Sequence, residues 1–253
     1  MKKKYALAVL LLSSTIIAQN NTAFDQGNAY YNEGNFQEAI TTYHSVLDNN
    51  QHSAELYFNL ANAYYKTNQT APSIYYYEKA LQLAPNDKDI QNNLVFAQNM
   101  TVDAIEIIPE VGFARIFNGV VNTFSFDTWA ILSVLLMITF IVLFLSYYFT
   151  YASNRKRVSF LIGFTALFLS IASIAFAYKK YNMELADNPA IVFAEETDIK
   201  TDPNLRSETA FQLHEGTKVQ VLENYNDDWT KIKLTDGKTG WIPSEDIKLL
   251  NIF

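Results

Sequence analysis

The chain has 253 residues, no cysteine and a formal net charge of −7. Without cysteine there is no disulfide, zinc–thiolate site or thiol nucleophile. The acidity is local as well as global: residues 19–103 hold 9 acids against 3 bases and residues 186–253 hold 13 against 7, so neither polar segment has the basic patch that nucleic-acid phosphates require.

Residues 1–18 read MKKKYALAVLLLSSTIIA. Lys2 to Lys4 form a basic start, and Tyr5 to Ile17 form an apolar run too short to cross a bilayer core of about 30 Å, which takes roughly 20 residues. Ala18 supplies a small residue for cleavage. The expectation is a secretory signal peptide that exports the polar segment after it.

Residues 20–53 and 54–87 align at an offset of 34. Gly27 matches Ala61, Tyr30 matches Tyr64, Ala39 matches Ser73, Tyr43 matches Tyr77, Val46 matches Ala80 and Gln51 matches Pro85. Tyr57 and Leu60 fill the large apolar positions of the second copy. This pattern resembles the tetratricopeptide repeat, in which each helix pair buries its apolar face only by stacking on a neighbour. Asp87 is a candidate N-cap, and Ile90, Leu94 and Ala97 form a helical stripe, so 87–102 reads as a capping helix and 19–103 as an all-α solenoid. The resemblance implies a concave face lined by the first helix of each pair. Asn28, Asn59, Asn62 and Asn93 fall there, as the asparagines of peptide-binding members do. The positions of a carboxylate clamp hold Phe24, Asp89 and Asn93, none cationic, which points to a neutral or basic segment of another protein. The competing reading leaves the four asparagines as solvated helix residues.

In residues 104–127, Phe113, Ile116, Phe117, Val120, Val121 and Phe124 recur on one helical face. Pro109 suits the start of such a helix. The expectation is an amphipathic juxtamembrane helix, lying on the membrane and running straight into the next segment; the alternative is a stalk packed on the repeats. Residues 128–151 and 158–178 are apolar and free of charge, each long enough to cross as a helix. Asp127 is the expected cap of the first. Trp129, Tyr147, Tyr148, Tyr151, Tyr178 and Tyr181 sit at the ends, where amphipathic rings favour the interface. The loop 152–157 holds Arg155, Lys156 and Arg157, which places it in the cytoplasm by the positive-inside rule. A hairpin with its loop inside returns the chain to the outside. Neither span holds an ionisable residue, so it reads as an anchor rather than an ion path.

From 186 to 250 the pattern turns to short alternating runs: 190–193, 197–200, 210–213, 218–222, 229–234 and 239–243 suit strands. Asp236-Gly237 marks a tight hairpin. Glu215-Gly216-Thr217, Trp229, Asp236-Gly237 and Gly240-Trp241-Ile242 together resemble bacterial SH3-like domains, which implies an all-β barrel that binds peptides or cell-wall glycopeptides. Trp229 and Trp241 are the candidate groove residues, bordered by Leu205, Arg206 and Phe211; either tryptophan also suits the barrel core.

No catalytic constellation emerges. His44, His52 and His214 have no metal-ligand spacing, and His44 and His52 read as solvated. Glu195-Glu196 and Asp227-Asp228 fall in turns. No cofactor, metal site or enzymatic activity is expected. The order of signal, repeats, membrane hairpin and SH3-like barrel resembles the BatE family of the Bacteroides aerotolerance (Bat) operon. That resemblance implies von Willebrand factor A-domain membrane proteins and a MoxR-type ATPase as partners, a role in stress tolerance, and an inner-membrane location with both soluble modules periplasmic. An adaptor for envelope proteins and a peptidoglycan sensor are the two functions expected.

Overall fold

The helices of the N-terminal half follow the 34-residue period residue by residue. The computed structural model describes residues 23–105 and 111–250. The expected signal peptide at 1–18, the first residues of the first repeat and Pro109 lie outside them. Helix α1 covers 23–32, followed by α2 (Phe36–Asp48), α3 (Ala54–Lys66), α4 (Thr70–Leu83) and α5 (Lys88–Gln98). The turns inside the two pairs place Gly34 and Asn68, 34 positions apart, at positive φ of 83° and 58°, the left-handed conformation that glycine and asparagine tolerate best. The first helices after the junctions are capped at equivalent positions too. Ser53 accepts from the Leu56 amide, and Asp87 accepts from Asp89 and Ile90, which satisfies N–H groups that have no partner inside the helix.

The repeat core is aromatic. Tyr43, Tyr57 and Tyr77 are among the largest fully buried side chains. Gly27 makes room for the first of these, because a Cβ there would lie 2.5 Å from Tyr43 Cε1. Ile90, Leu94 and Ala97 bury the stripe of α5.

Strands β1 (Pro189–Val192), β2 (Glu196–Lys200), β3 (Thr209–His214), β4 (Lys218–Tyr225), β5 (Trp229–Lys233), β6 (Thr239–Pro243) and β7 (Ile247–Leu249) form one antiparallel sheet in the order β3-β2-β6-β5-β4-β1-β7. Alternate residues point inward. Ala190, Val192, Ile199, Leu213, Val219, Val221, Ile232, Leu234 and Ile242 make one core, so the two edges of the sheet curl round the same interior. The β5–β6 hairpin turns at Gly237, φ 88°, with Lys238 donating to Asp236 Oδ1. Strand β7 has too short an alternation to stand out in the sequence; it forms by pairing Ile247, Lys248 and Leu249 with β1.

Repeats and sheet belong to one compact unit, which among the described residues comprises 23–105 and 188–250. Strand β1 is buried on both faces: Ala190 and Val192 enter the sheet core, while Ile191 joins Ile74, Tyr77 and Leu94 in the repeat core, together with Leu250. Full burial of such side chains contributes roughly 1.5–3 kcal/mol each. Tyr75 meets Phe193 edge to face at 5.7 Å, Gln82 donates to the Leu250 carbonyl at 2.6 Å and Lys218 pairs with Glu78 at 2.8 Å. The stripe of α4 that makes these contacts carries Ile74 and Glu78. Their counterparts 34 positions earlier, Ile40 and His44, face the second repeat, where His44 meets Tyr64 and Tyr76. The sheet therefore stands where a next repeat would stack.

The second unit comprises, among the described residues, 111–187. Helix α6 covers Gly112–Val121, α7 Phe126–Phe149 and α8 Ser153–Leu185. Helices α7 and α8 are long and apolar enough to cross a membrane. Small residues let them approach. Ser159, Gly163, Ala166, Ser170 and Ser173 line the buried side of α8, and Ser170 Oγ donates to the Ser133 carbonyl at 2.9 Å. Three expectations change here. The cap of α7 is Ser125, which accepts from the Thr128 amide, while Asp127 sits in the first turn; a hydroxyl one residue before the helix reaches that amide directly. Arg155, Lys156 and Arg157 are helical, in the first turns of α8, and the connection shrinks to Thr150–Ala152, because nothing in Ser153–Arg157 interrupts a helix. Helix α6 does not run into α7: it ends at Val121, and Asn122 to Ser125 break the path.

Candidate functional site

Asn28, Asn59, Asn62 and Asn93 form two identical clusters in the repeats. Asn28 Oδ1 accepts from the Tyr43 hydroxyl at 2.7 Å and from Asn59 Nδ2 at 2.9 Å. Asn62 Oδ1, 34 positions on, accepts from the Tyr77 hydroxyl and from Asn93 Nδ2 at 3.0 Å. The oxygens of Asn28 and Asn62 thus satisfy phenols whose rings are buried in the core. These asparagines are neither freely solvated nor fully available to a ligand. Their first task is to tie one helix to the next. Asn59 and Asn93 each give one of two N–H groups to the preceding asparagine, and Asn93 also bonds the Tyr77 hydroxyl.

On the sheet, the residues that point away from the core form a groove of about 500 Å³ lined by Glu196, Asp198, Lys200, Leu205, Gln212, Trp229 and Pro243. Register brings them together. Trp229 pairs with Pro243, and Asp198 pairs with Gln212. Asp198 accepts from Gln212 Nε2, Lys200 Nζ and Thr209 Oγ1 at 3.0, 3.0 and 3.2 Å. The hydrogen bond from Gln212, and then that from Lys200, holds its carboxyl below the ordinary value. The groove thus offers an indole and a proline ring beside a charged, ordered floor.

Of the two tryptophans singled out by sequence, Trp229 lines this groove and Trp241 does not. Trp241 is 9% exposed and lies under Tyr225 and Lys231. Its neighbours cover it because it lies mid-strand, with Lys200 and Lys231 paired on either side, whereas Trp229 begins β5. Leu205 borders the groove as expected, but Phe211 packs on the sheet core, since it shares the inward parity of Leu213. Glu196, Asp198 and Lys200 are the residues that sequence reasoning missed. Their signal is the two-residue spacing along β2, which gives one strand face three charges.

A third cluster joins the repeats to the sheet. Asp103, just past α5, accepts from the His214 amide at 2.7 Å and Thr217 Oγ1 at 2.6 Å through one oxygen, and from His214 Nδ1 at 2.8 Å through the other. Burial pushes its carboxyl up, but the bonds from Thr217 and His214 outweigh this and hold it below the ordinary value. The bond to Asp103 raises the His214 imidazole. The other histidines are also engaged. His44 shares a 2.7 Å hydrogen bond with Tyr64, and burial lowers its pKa; His52 shares one with Tyr57. His44 thus departs from the expectation of free solvation, whereas His52 keeps its exposure to solvent beside that bond.

Known families account for both halves of this unit. The tetratricopeptide repeat family matches residues 24–88, and the bacterial SH3 domain family matches residues 195–248. The chain carries both domains. A stretch of 57 residues is 35% identical to the cell wall-binding protein YwsB of Bacillus subtilis (strain 168), covering 22% of this chain and 32% of that protein. The chain spans about a third of the length of that curated relative.

Proposed function

We propose that this protein is a membrane-anchored extracytoplasmic adaptor without enzymatic activity, holding a segment of another envelope protein through its repeat–SH3 unit. One observation carries the reading. The repeats precede α7 and α8, the SH3 domain comes after them, and the two share one core through Ile191 and Leu250. If α7 and α8 cross a bilayer, that shared core requires an even number of crossings, which a hairpin provides. Most of the apolar stretch of α7 and of α8 is not buried within the chain, so these helices are not its core and need an apolar solvent. The basic start of α8 orients the turn toward the cytoplasm, and both domains toward the periplasm of the inner membrane. The order of modules further supports a BatE-type role in aerotolerance or stress tolerance, beside von Willebrand factor A-domain membrane proteins. Crosslinking with mass spectrometry in native membranes tests this. Crosslinks from residues 23–103 to other membrane or periplasmic proteins are expected. Recovery of crosslinks from the apolar helices alone, with none from the repeats, would overturn it.

A second reading has its own observation. The groove at Trp229 offers an aromatic wall beside Asp198 and Lys200, and YwsB is named for cell-wall binding. In this reading the SH3 domain senses peptidoglycan. Detergent-solubilised full chain should then co-sediment with purified sacculi, and Trp229→Ala should abolish this. Equal sedimentation of both proteins would remove the groove from consideration.

A further inference from the structure

We infer that α6 is a third membrane element, embedded along one side in a single leaflet beside the hairpin. This rests on the reading that α7 and α8 span the bilayer. Around the axis of α6 the apolar side chains fill one arc in the order Ile116, Val120, Phe113, Phe117, Val121, at 100° per residue. The hairpin covers only one end of that arc. Phe117 meets Phe176 of α8 edge to face at 5.8 Å, and Val121 is fully buried. The other end is open: Phe113, Ile116 and Val120 are 79%, 67% and 42% exposed. Arg115 and Asn122 lie on the opposite side of the helix.

The position at which α6 is held decides what covers the open arc. Trp129, in the first turn of α7, donates its indole N–H to the Val121 carbonyl at 3.0 Å, and Phe124 meets the same ring at 5.1 Å. Lys180 Nζ donates to Asn122 Oδ1 at 3.0 Å. These contacts tie α6 to the start of α7 and the end of the apolar run of α8. That level is where a hydrocarbon core meets headgroups, and where Trp and Lys anchors sit. A helix is about 10 Å across, so an arc fixed there lies in the headgroup–acyl boundary, continuous with the open apolar surfaces of α7 and α8. The occupant is therefore lipid. The same arc facing water would be an uncompensated apolar patch beside an aromatic anchor.

The absence of cysteine permits a clean test. Single variants Ile116→Cys, Arg115→Cys and Val134→Cys of the full chain carry a nitroxide label in bilayers of phosphatidylethanolamine and phosphatidylglycerol. Val134 faces outward on α7 and reports on the spanning reading by itself. Collisions with oxygen should dominate at 116 and 134, and collisions with a water-soluble nickel chelate should dominate at 115. A label at 116 that favours nickel, with 134 in lipid, overturns the membrane role of α6 and leaves the hairpin standing. Nickel access at 134 overturns both.

Discussion

Asp103 shows how much one side chain can decide. Its two oxygens accept three hydrogen bonds from the end of β3 and the turn into β4, and these tie the end of the repeats to that edge of the sheet. The pH dependence comes from the signs. The Asp103 carboxyl is lower in the folded protein than in the unfolded chain, so its contribution is present above the ordinary carboxylate value and disappears as pH falls through the lowered one. The His214 imidazole is higher when folded, so its contribution is complete below the ordinary imidazole value and disappears as pH rises through the raised one. Both are complete between about pH 4 and 6.5. Amide hydrogen exchange at 214–217, corrected for the intrinsic rate at each pH, should therefore be slowest in that window, and Asp103→Asn should flatten the profile on both sides; an unchanged profile would remove the pair from the interface. The neighbouring Gly216 is equally constrained. Its φ is +85°, and a Cβ would lie 2.8 Å from Thr101 Cγ2 and 2.9 Å from Ile74 Cδ1. Gly216→Ala should cost about 1–3 kcal/mol, read as a lower thermal midpoint; the corresponding change at Gly237, where a Cβ meets nothing within 4 Å, isolates the backbone part.

At the scale of elements, the asparagine clusters separate structure from binding. Tyr77 is 1% exposed, and its hydroxyl depends on Asn62. Asn62→Ala leaves the proton of that hydroxyl without its acceptor and should lower stability by about 1–3 kcal/mol, measured by chemical denaturation. Adding Tyr77→Phe removes the orphan and should recover part of the loss. Asn93 donates to Asn62 and also bonds the Tyr77 hydroxyl; Asn62 still accepts from that phenol when Asn93 is lost, so Asn93→Ala should cost less stability. If it also abolishes capture of the crosslinked partner, the amides serve a ligand as well as the fold. Much of this was legible in the sequence. The 34-residue offset located the helices, and Asp87 with its stripe announced α5. The hydrogen bonds of Asn28 and Asn62 were not legible, because they depend on which neighbouring phenol the helix crossing brings within reach.

For the whole molecule, the main consequence comes from the core that repeats and SH3 domain share. Two helix pairs and a half are short for a solenoid, and an open end costs apolar exposure. The sheet closes that end by presenting Ile191 and Leu250 to Ile74, Tyr77 and Leu94. Excision of residues 188–250 should therefore yield a fragment that exposes Ile191, Phe193 and Leu250. Expressed alone, it should aggregate or melt well below the same domain in the full chain; an equal midpoint would show the docking to be weak. Assays of binding belong on the intact protein for this reason.

One hint of this docking was present in the chain. Although Ala190-Ile191-Val192-Phe193 is grouped with the alternating runs, all four of its residues are apolar, the pattern of a strand buried on both faces. The helical repeat, the two apolar helices, the strand-rich C-terminal segment and the acidic balance are all legible in chain order, because period, length and composition are local properties. The tertiary structure alone decided what Ile191 packs against, which tryptophan opens to the groove, and how Asp103 joins elements 111 residues apart. Those depend on register and on contacts between distant segments, where chain order carries no signal.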